Sequence, residues 1–270
     1  MDITSKVKLN ARVEMPMLGL GTWQISNRDV ENAVIWALEA NYRHIDTAAY
    51  YNNEEGVGKA VKKSGIARDE IFVTTKLRND DHRNPEKAFN MSLKKLGLDY
   101  IDLYLIHWPV EKLRNRAWKI FEKLYKEEKC RAIGVSNFTI RHLQELLEQA
   151  DVVPAVNQVE FTPYLYQKEL LEFCISKNIQ LEAYSPLTRG KKLNDPKLVA
   201  IAKKYSKTSA QILIRWALQH NIVVIPKSKT KERIEENASV FDFEISATDV
   251  KKLDSFDEDL RLCWDPTDVP

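Results

Sequence analysis

Short apolar runs rich in β-branched and aromatic side chains alternate along the chain with stretches whose apolar positions recur three and four apart. The first pattern predicts buried strands, the second amphipathic helices. Eight strand candidates stand out: LGLGT at 18–22, RHIDT at 43–47, IFVTTK at 71–76, DLYLIH at 102–107, RAIGVSN at 131–137, AVNQVE at 155–160, QLEAYS at 180–185 and IVVIPK at 222–227. Between them, EEGVGKAVKK at 54–63 has helical spacing. In RAWKIFEKLYKEE at 116–128, Trp118, Phe121, Leu124 and Tyr125 form one apolar stripe opposite a charged face. Asn84 before Pro85 and Asp195 before Pro196 each predict a capping side chain, then proline at the first helical position, where its missing N–H is harmless. Gly97 is placed to close its helix in the left-handed conformation.

Eight strands, each followed by a helix, within 270 residues predict an α/β fold of the closed (β/α)8 TIM barrel type. Residues 6–15 read as an N-terminal β-hairpin closing the lower end of the barrel. No Pro/Gly/Ser linker divides the chain, so residues 1–270 are expected to form a single domain. The rival, an open doubly wound sheet, calls for GxGxxG at its first βα turn; Gly56 and Gly58 in EGVGKA lack the third glycine and do not follow a strand directly.

Composition narrows the partners. With 41 basic and 39 acidic residues the formal charge is +2, which argues against nucleic acid or a membrane as a default partner. Three scattered cysteines without CxxC suit a reducing compartment. The first residues contain no apolar signal core, and no apolar run is long enough to span a bilayer. The expectation is a cytoplasmic monomer.

Barrel enzymes carry their chemistry at the C-terminal ends of strands. Asp46, Lys76 and His107 end the second, third and fourth strand candidates, 30 and 31 residues apart, one βα unit each. They should converge on one mouth, with Tyr51 on the loop above. Singly, these residues have ordinary readings: a helix cap, a packing aromatic, a snorkelling lysine, a core histidine. Their coincidence at neighbouring strand ends favours a site. A phenol is a poor acid at neutral pH, and a neighbouring ammonium at Lys76, kept charged by Asp46, is expected to lower its pKa. His107 would then hydrogen-bond a substrate oxygen, completing a proton donor and oxyanion site for a carbonyl. His44, His82, His142 and His220 show no paired metal-ligand spacing, so no metal site is expected.

The chain resembles the aldo-keto reductases in MPMLGLGTW (15–23), IDTAAYYNNEEGVGKA (45–60), TTKL (74–77), LGLDYIDLYLIHWP (96–109), AIGVSNF (132–138), VNQVEFTPY (156–164), EAYSPL (182–187), IPKSKTKERIEEN (225–237) and CWDP (263–266). The resemblance implies the (β/α)8 fold with a C-terminal substrate loop, and NADPH-dependent reduction of small aldehydes and ketones. It makes Tyr51 the general acid, tuned by Lys76 and Asp46, with His107 orienting the carbonyl. Ser136, Asn137 and Gln158 match residues that hold the nicotinamide carboxamide, and Tyr184 matches the one that stacks on its ring. Gly21, Thr22, Trp23 and Asp46 fall in cofactor-contacting blocks, as do Ser185, Leu187 and Arg189, the last near the pyrophosphate. Trp23, Tyr51, His107, Trp108 and Trp264 resemble the substrate wall.

Lys227 and Ser228 are expected at a helix N-terminus, which favours phosphate, with Arg233, Glu236 and Asn237 on adjoining helix positions. By resemblance this is a clamp on the adenosine end, with Lys227, Ser228 and Arg233 on the 2′-phosphate, so NADPH is expected over NADH. Thr188 stands where the family usually has a small residue, an expected influence on cofactor affinity or loop closure. The short loop after His107 and short tail after Trp264 predict an open, tolerant pocket. Two rival readings are a cofactor-binding regulatory subunit with little turnover, and a barrel lyase or isomerase using Lys76 as a Schiff base, which Asp46 disfavours by keeping the lysine protonated.

Overall fold

The computed structural model describes residues 1–10 and 13–270. The chain opens with an antiparallel hairpin of β1 (Lys6–Asn10) and β2 (Val13–Pro16). Then follow β3 (Leu20–Gly21), α1 (Val30–Glu39), β4 (His44–Asp46), α2 (Glu54–Lys63), β5 (Phe72–Leu77), α3 (Pro85–Leu96), β6 (Ile101–Ile106), α4 (Arg114–Lys126), β7 (Cys130–Ser136), α5 (Ile140–Leu147), β8 (Val156–Glu160), α6 (Lys168–Ser176), β9 (Gln180–Tyr184), α7 (Pro196–Lys204), α8 (Ser209–Gln219), β10 (Val223–Val224), α9 (Lys231–Ala238) and α10 (Ala247–Asp254).

Strands β3 to β10 lie side by side in chain order, every pair parallel. The two ends of this row then meet. Val224 donates to Met17 O, Gly19 to Val224 O and Gly21 to Pro226 O, at 2.9, 2.9 and 3.1 Å, which closes the sheet into a barrel. Closure depends on Gly21, because a Cβ there would lie 2.8 Å from Ile225 O. Each strand is covered on both faces, the outer by helices and the inner by the barrel filling, so β5 and β6 are buried at every position. Hairpin residues Leu9, Val13 and Met15 are buried in the same core, and β2 leads directly into β3 from the N-terminal side of the strands.

The eight expected strands are present within a few residues, although the last is only Val223–Val224. One helix per strand is too few: both α7 and α8 separate β9 from β10, and α10 follows α9. Helix α4 buries Trp118, Phe121 and Leu124, with Tyr104 of β6 stacked on Phe121 at 4.5 Å, and leaves Tyr125 half-buried. Asp195 caps α7 through Lys197 N–H (2.9 Å), and Gly97 ends α3 at φ +62°. Asn84 differs from expectation. Pro85 does start α3, but the Asn84 side chain makes no capping bond, its backbone N–H being tied to Asp81 O at 2.9 Å in the preceding turn.

Candidate active site

Strand β4 ends in Asp46, and a 3-10 turn at Ala49–Tyr51 lifts Tyr51 above it, ending at Asn52 in the left-handed region (φ +56°). Asn53 fixes this turn. Its Oδ1 accepts from the Thr47 hydroxyl (2.7 Å), and its Nδ2 donates to Thr22 O and Ile25 O, both at 3.0 Å, tying the loop after β4 to the loop after β3. Lys76, on β5 beside β4, sends its ammonium to Asp46 Oδ1 (2.6 Å), Asp46 Oδ2 (2.8 Å), Thr47 O (3.0 Å) and Tyr51 Oη (3.4 Å). His107 follows β6, its ring edge-on to Tyr51 at 5.7 Å. The spacing of one βα unit thus brings all four together.

Electrostatics corrects one expectation. Burial pushes the Tyr51 phenol up to about 12, more than the Lys76 ammonium pulls it down. Tyr51 is therefore a protonated phenol at neutral pH, and Lys76 limits the rise without reversing it. Burial works against the Lys76 charge, but the Asp46 carboxylate, with smaller contributions from Tyr51 and Glu182, holds the lysine above its ordinary value. His107 is driven well below the usual histidine range by burial, with Lys76 and His82 adding to the effect, so its ring is neutral.

A cavity of about 1520 Å³ opens above this group. Lys76 is fully buried beneath its floor, and every other residue expected at the site lines it. With its ammonium held by Asp46 and sealed from the cavity, Lys76 is unsuited to a Schiff base. Ser136 of β7 is the register partner of Gln158 on β8 and donates to its carbonyl at 2.8 Å. Asn137 donates to Ser136 Oγ and His107 O, both at 3.0 Å, and accepts from the Tyr184 hydroxyl at 2.7 Å. Gln158 in turn donates to Asp46 Oδ2 at 2.8 Å, so these side chains form one network with the four residues below.

Beyond β9 the backbone enters the left-handed region at Ser185, Thr188, Arg189 and Gly190. A β-branched residue is strained there, and two bonds at the Thr188 hydroxyl offset the cost: it donates to Leu187 O (2.7 Å) and accepts from Lys192 N–H (3.1 Å). The Thr188 side chain is buried, leaving the cavity wall to Leu187, Arg189 and Gly190. At the far end, α9 begins only at Lys231, so Lys227 and Ser228 lie in the segment leading to the helix and not at its first turn. Glu236 on α9 accepts from the Thr208 hydroxyl at 2.6 Å.

Other residues at the mouth went unnoticed in the sequence. Tyr50 stacks on Trp23 at 5.6 Å, with the Arg78 guanidinium 5.6 Å from the Tyr50 ring. Their signal was position alone: next to Tyr51, and two residues after Lys76. Cys263 receives Arg189 Nη2 at 2.9 Å. The tail is anchored by Glu160 of β8, whose carboxylate accepts the N–H groups of Leu262 and Cys263, each at 3.0 Å. This sets Trp264, 76 % exposed, edge-on to Trp108 at 5.7 Å across the opening.

The family model described as the aldo/keto reductase family matches residues 17–258. The chain is 50% identical to the glyoxal reductase of Bacillus subtilis (strain 168) over 271 residues, covering 99% of this chain and 98% of that protein. It superposes with a TM-score of 0.93 and 50% identity on MGS-M4, an aldo-keto reductase enzyme from a Medee basin deep-sea metagenome library, covering 98% of this chain and 99% of that one. A Bombyx mori aldo-keto reductase in complex with NADP gives a TM-score of 0.90 at 37% identity, covering 96% and 94%. With a closed barrel, this site at the ends of its strands and a match over nearly its whole length, the chain belongs to the aldo/keto reductase family of oxidoreductases.

Proposed function

We propose that this protein reduces small aldehydes and ketones to alcohols with NADPH, Tyr51 acting as the general acid. The observation that carries the reading is the Asp46–Lys76 pair, with its buried ammonium 3.4 Å from a phenol that lines the cavity beside a neutral His107. The cavity suits a dinucleotide together with a small substrate: its volume exceeds the usual size of a drug-like ligand site, and Lys227 and Arg233 offer cations at one end.

Ser136, Asn137 and Gln158 would hold the carboxamide, Tyr184 the nicotinamide ring, Arg189 the pyrophosphate, and Lys227, Ser228 and Arg233 the 2′-phosphate. When bound, the reduced nicotinamide supplies the hydride. The protein supplies the rest. His107 orients the carbonyl oxygen, Tyr51 gives its proton to that oxygen as negative charge develops, and Lys76 stabilises the phenolate left behind. Trp23, Trp108 and Trp264 enclose the substrate. The glyoxal reductase relative supports small carbonyl compounds as substrates, and the NADP complex of the silkworm relative supports the cofactor.

The test follows NADPH consumption by near-ultraviolet absorbance with a panel of aldehydes and ketones. Tyr51→Phe is expected to lose roughly 10²–10⁴-fold in turnover, the usual contribution of a general acid, while binding NADPH nearly as well. Unchanged turnover would remove Tyr51 from the role.

A further inference from the structure

Beneath the nicotinamide-facing residues lies a carboxyl group with no part in the chemistry above. Glu182 of β9 is fully buried, does not line the cavity and is the register partner of Gln158 on the neighbouring strand. Gln158 Nε2 donates to Glu182 Oε2 at 2.9 Å and to Asp46 Oδ2 at 2.8 Å. Both amide hydrogens are thereby committed downward. A single bond to Asp46 would set which end of the amide points down; the second fixes its plane as well. The Gln158 oxygen, which can only accept, remains for the cavity.

The surroundings of Glu182 explain how a second carboxyl is tolerated here. His44 Nε2 is 3.7 Å from Glu182 Oε1, but burial, with help from Lys76, lowers that imidazole to about 3, so it is neutral and the two are not an ion pair. Thr74 of β5 is bonded to the same nitrogen at 3.1 Å, and Val223 is the register partner on β10. Lys76 is the one cation of the cluster and is committed to Asp46. Burial, with the Asp46 charge next in effect, pushes Glu182 up to about 8, which relieves the cluster of a second negative charge at neutral pH.

We propose that Glu182 is a positioning residue, holding Gln158 from below so that its amide oxygen meets the amino group of the cofactor's carboxamide. The inference rests on the reading of Gln158 as a carboxamide contact. A cofactor analogue tests it: 3-acetylpyridine adenine dinucleotide phosphate has a methyl group in place of that amino group, so Gln158 has nothing to accept from it.

Dissociation constants for NADPH and the analogue, both reduced, would be measured by fluorescence titration for wild type, Glu182→Gln and Glu182→Met, with circular dichroism to verify folding. Glu182→Met should weaken NADPH roughly tenfold and the analogue hardly at all. Glu182→Gln, which still offers Gln158 an acceptor, should bind both as wild type does. Should the methionine variant fail to fold, Glu182→Thr, a good strand former too short to reach Gln158, makes the same comparison. Equal weakening of both cofactors, or no weakening of NADPH, would overturn the positioning role while leaving the cofactor reading in place. Failure of the wild type to bind NADPH would overturn that reading, and this proposal with it.

Discussion

Four side chains decide what the site can do, and the balance between burial and charge decides how they do it. Tyr51 keeps its proton because loss of hydration outweighs the attraction of Lys76. In the proposed reaction, reduction uses the protonated phenol and alcohol oxidation needs the phenolate. Reduction is therefore expected to hold through neutral pH and fall as pH rises towards the Tyr51 pKa of about 12, with alcohol oxidation climbing over the same range. Profiles of kcat/KM in both directions would check this, and an oxidation rate indifferent to pH would contradict it. The identities of Asp46, Tyr51, Lys76 and His107 were legible in the sequence because strand ends and one-unit spacing are local signals. The sign of the Tyr51 shift was not, because it depends on how many atoms of distant segments displace water around the phenol.

Elements place these side chains, and only some of their boundaries are legible in the local sequence. Strand patterns identified all eight barrel strands, since continuous apolar runs between turn residues leave few alternatives. The doubled helix between β9 and β10 was missed because α7 and α8 are separated by a short polar turn that reads like any other loop. Asn84 shows the limit of cap signals: residue type and the following proline were right for a cap, yet the preceding 3-10 turn at Asn79–Asp81 claims its backbone. Helix α9 carries Arg233, the proposed contact to the 2′-phosphate. Arg233→Ala should weaken NADPH about tenfold to a hundredfold, the range for a hydrogen bond to a charged group, and leave NADH nearly unchanged. Parallel titrations with the two cofactors would decide; equal losses would place the 2′-phosphate elsewhere.

On the scale of the whole molecule, the first and last strands join to close the barrel, so no part of the sheet is complete without both ends of the chain. Unfolding is accordingly expected as one cooperative transition by calorimetry, with NADPH at a hundred times its dissociation constant adding about 2.7 kcal/mol. Two separated transitions would refute the single-domain expectation. No helix among the described residues is long and apolar enough to cross a membrane. By itself the sequence determined the alternation of strands and helices, the barrel they imply and the identity of the residues at the strand ends, because hydrophobic period and turn chemistry act over a few residues. Only the tertiary structure decided that Lys76 lies sealed below the floor, that Glu182 and Asp46 share one amide, and that Glu160 holds the tail across the mouth. Those facts rest on contacts such as that between Asp46 and Gln158, 112 residues apart, and on the exclusion of water that only a closed core provides.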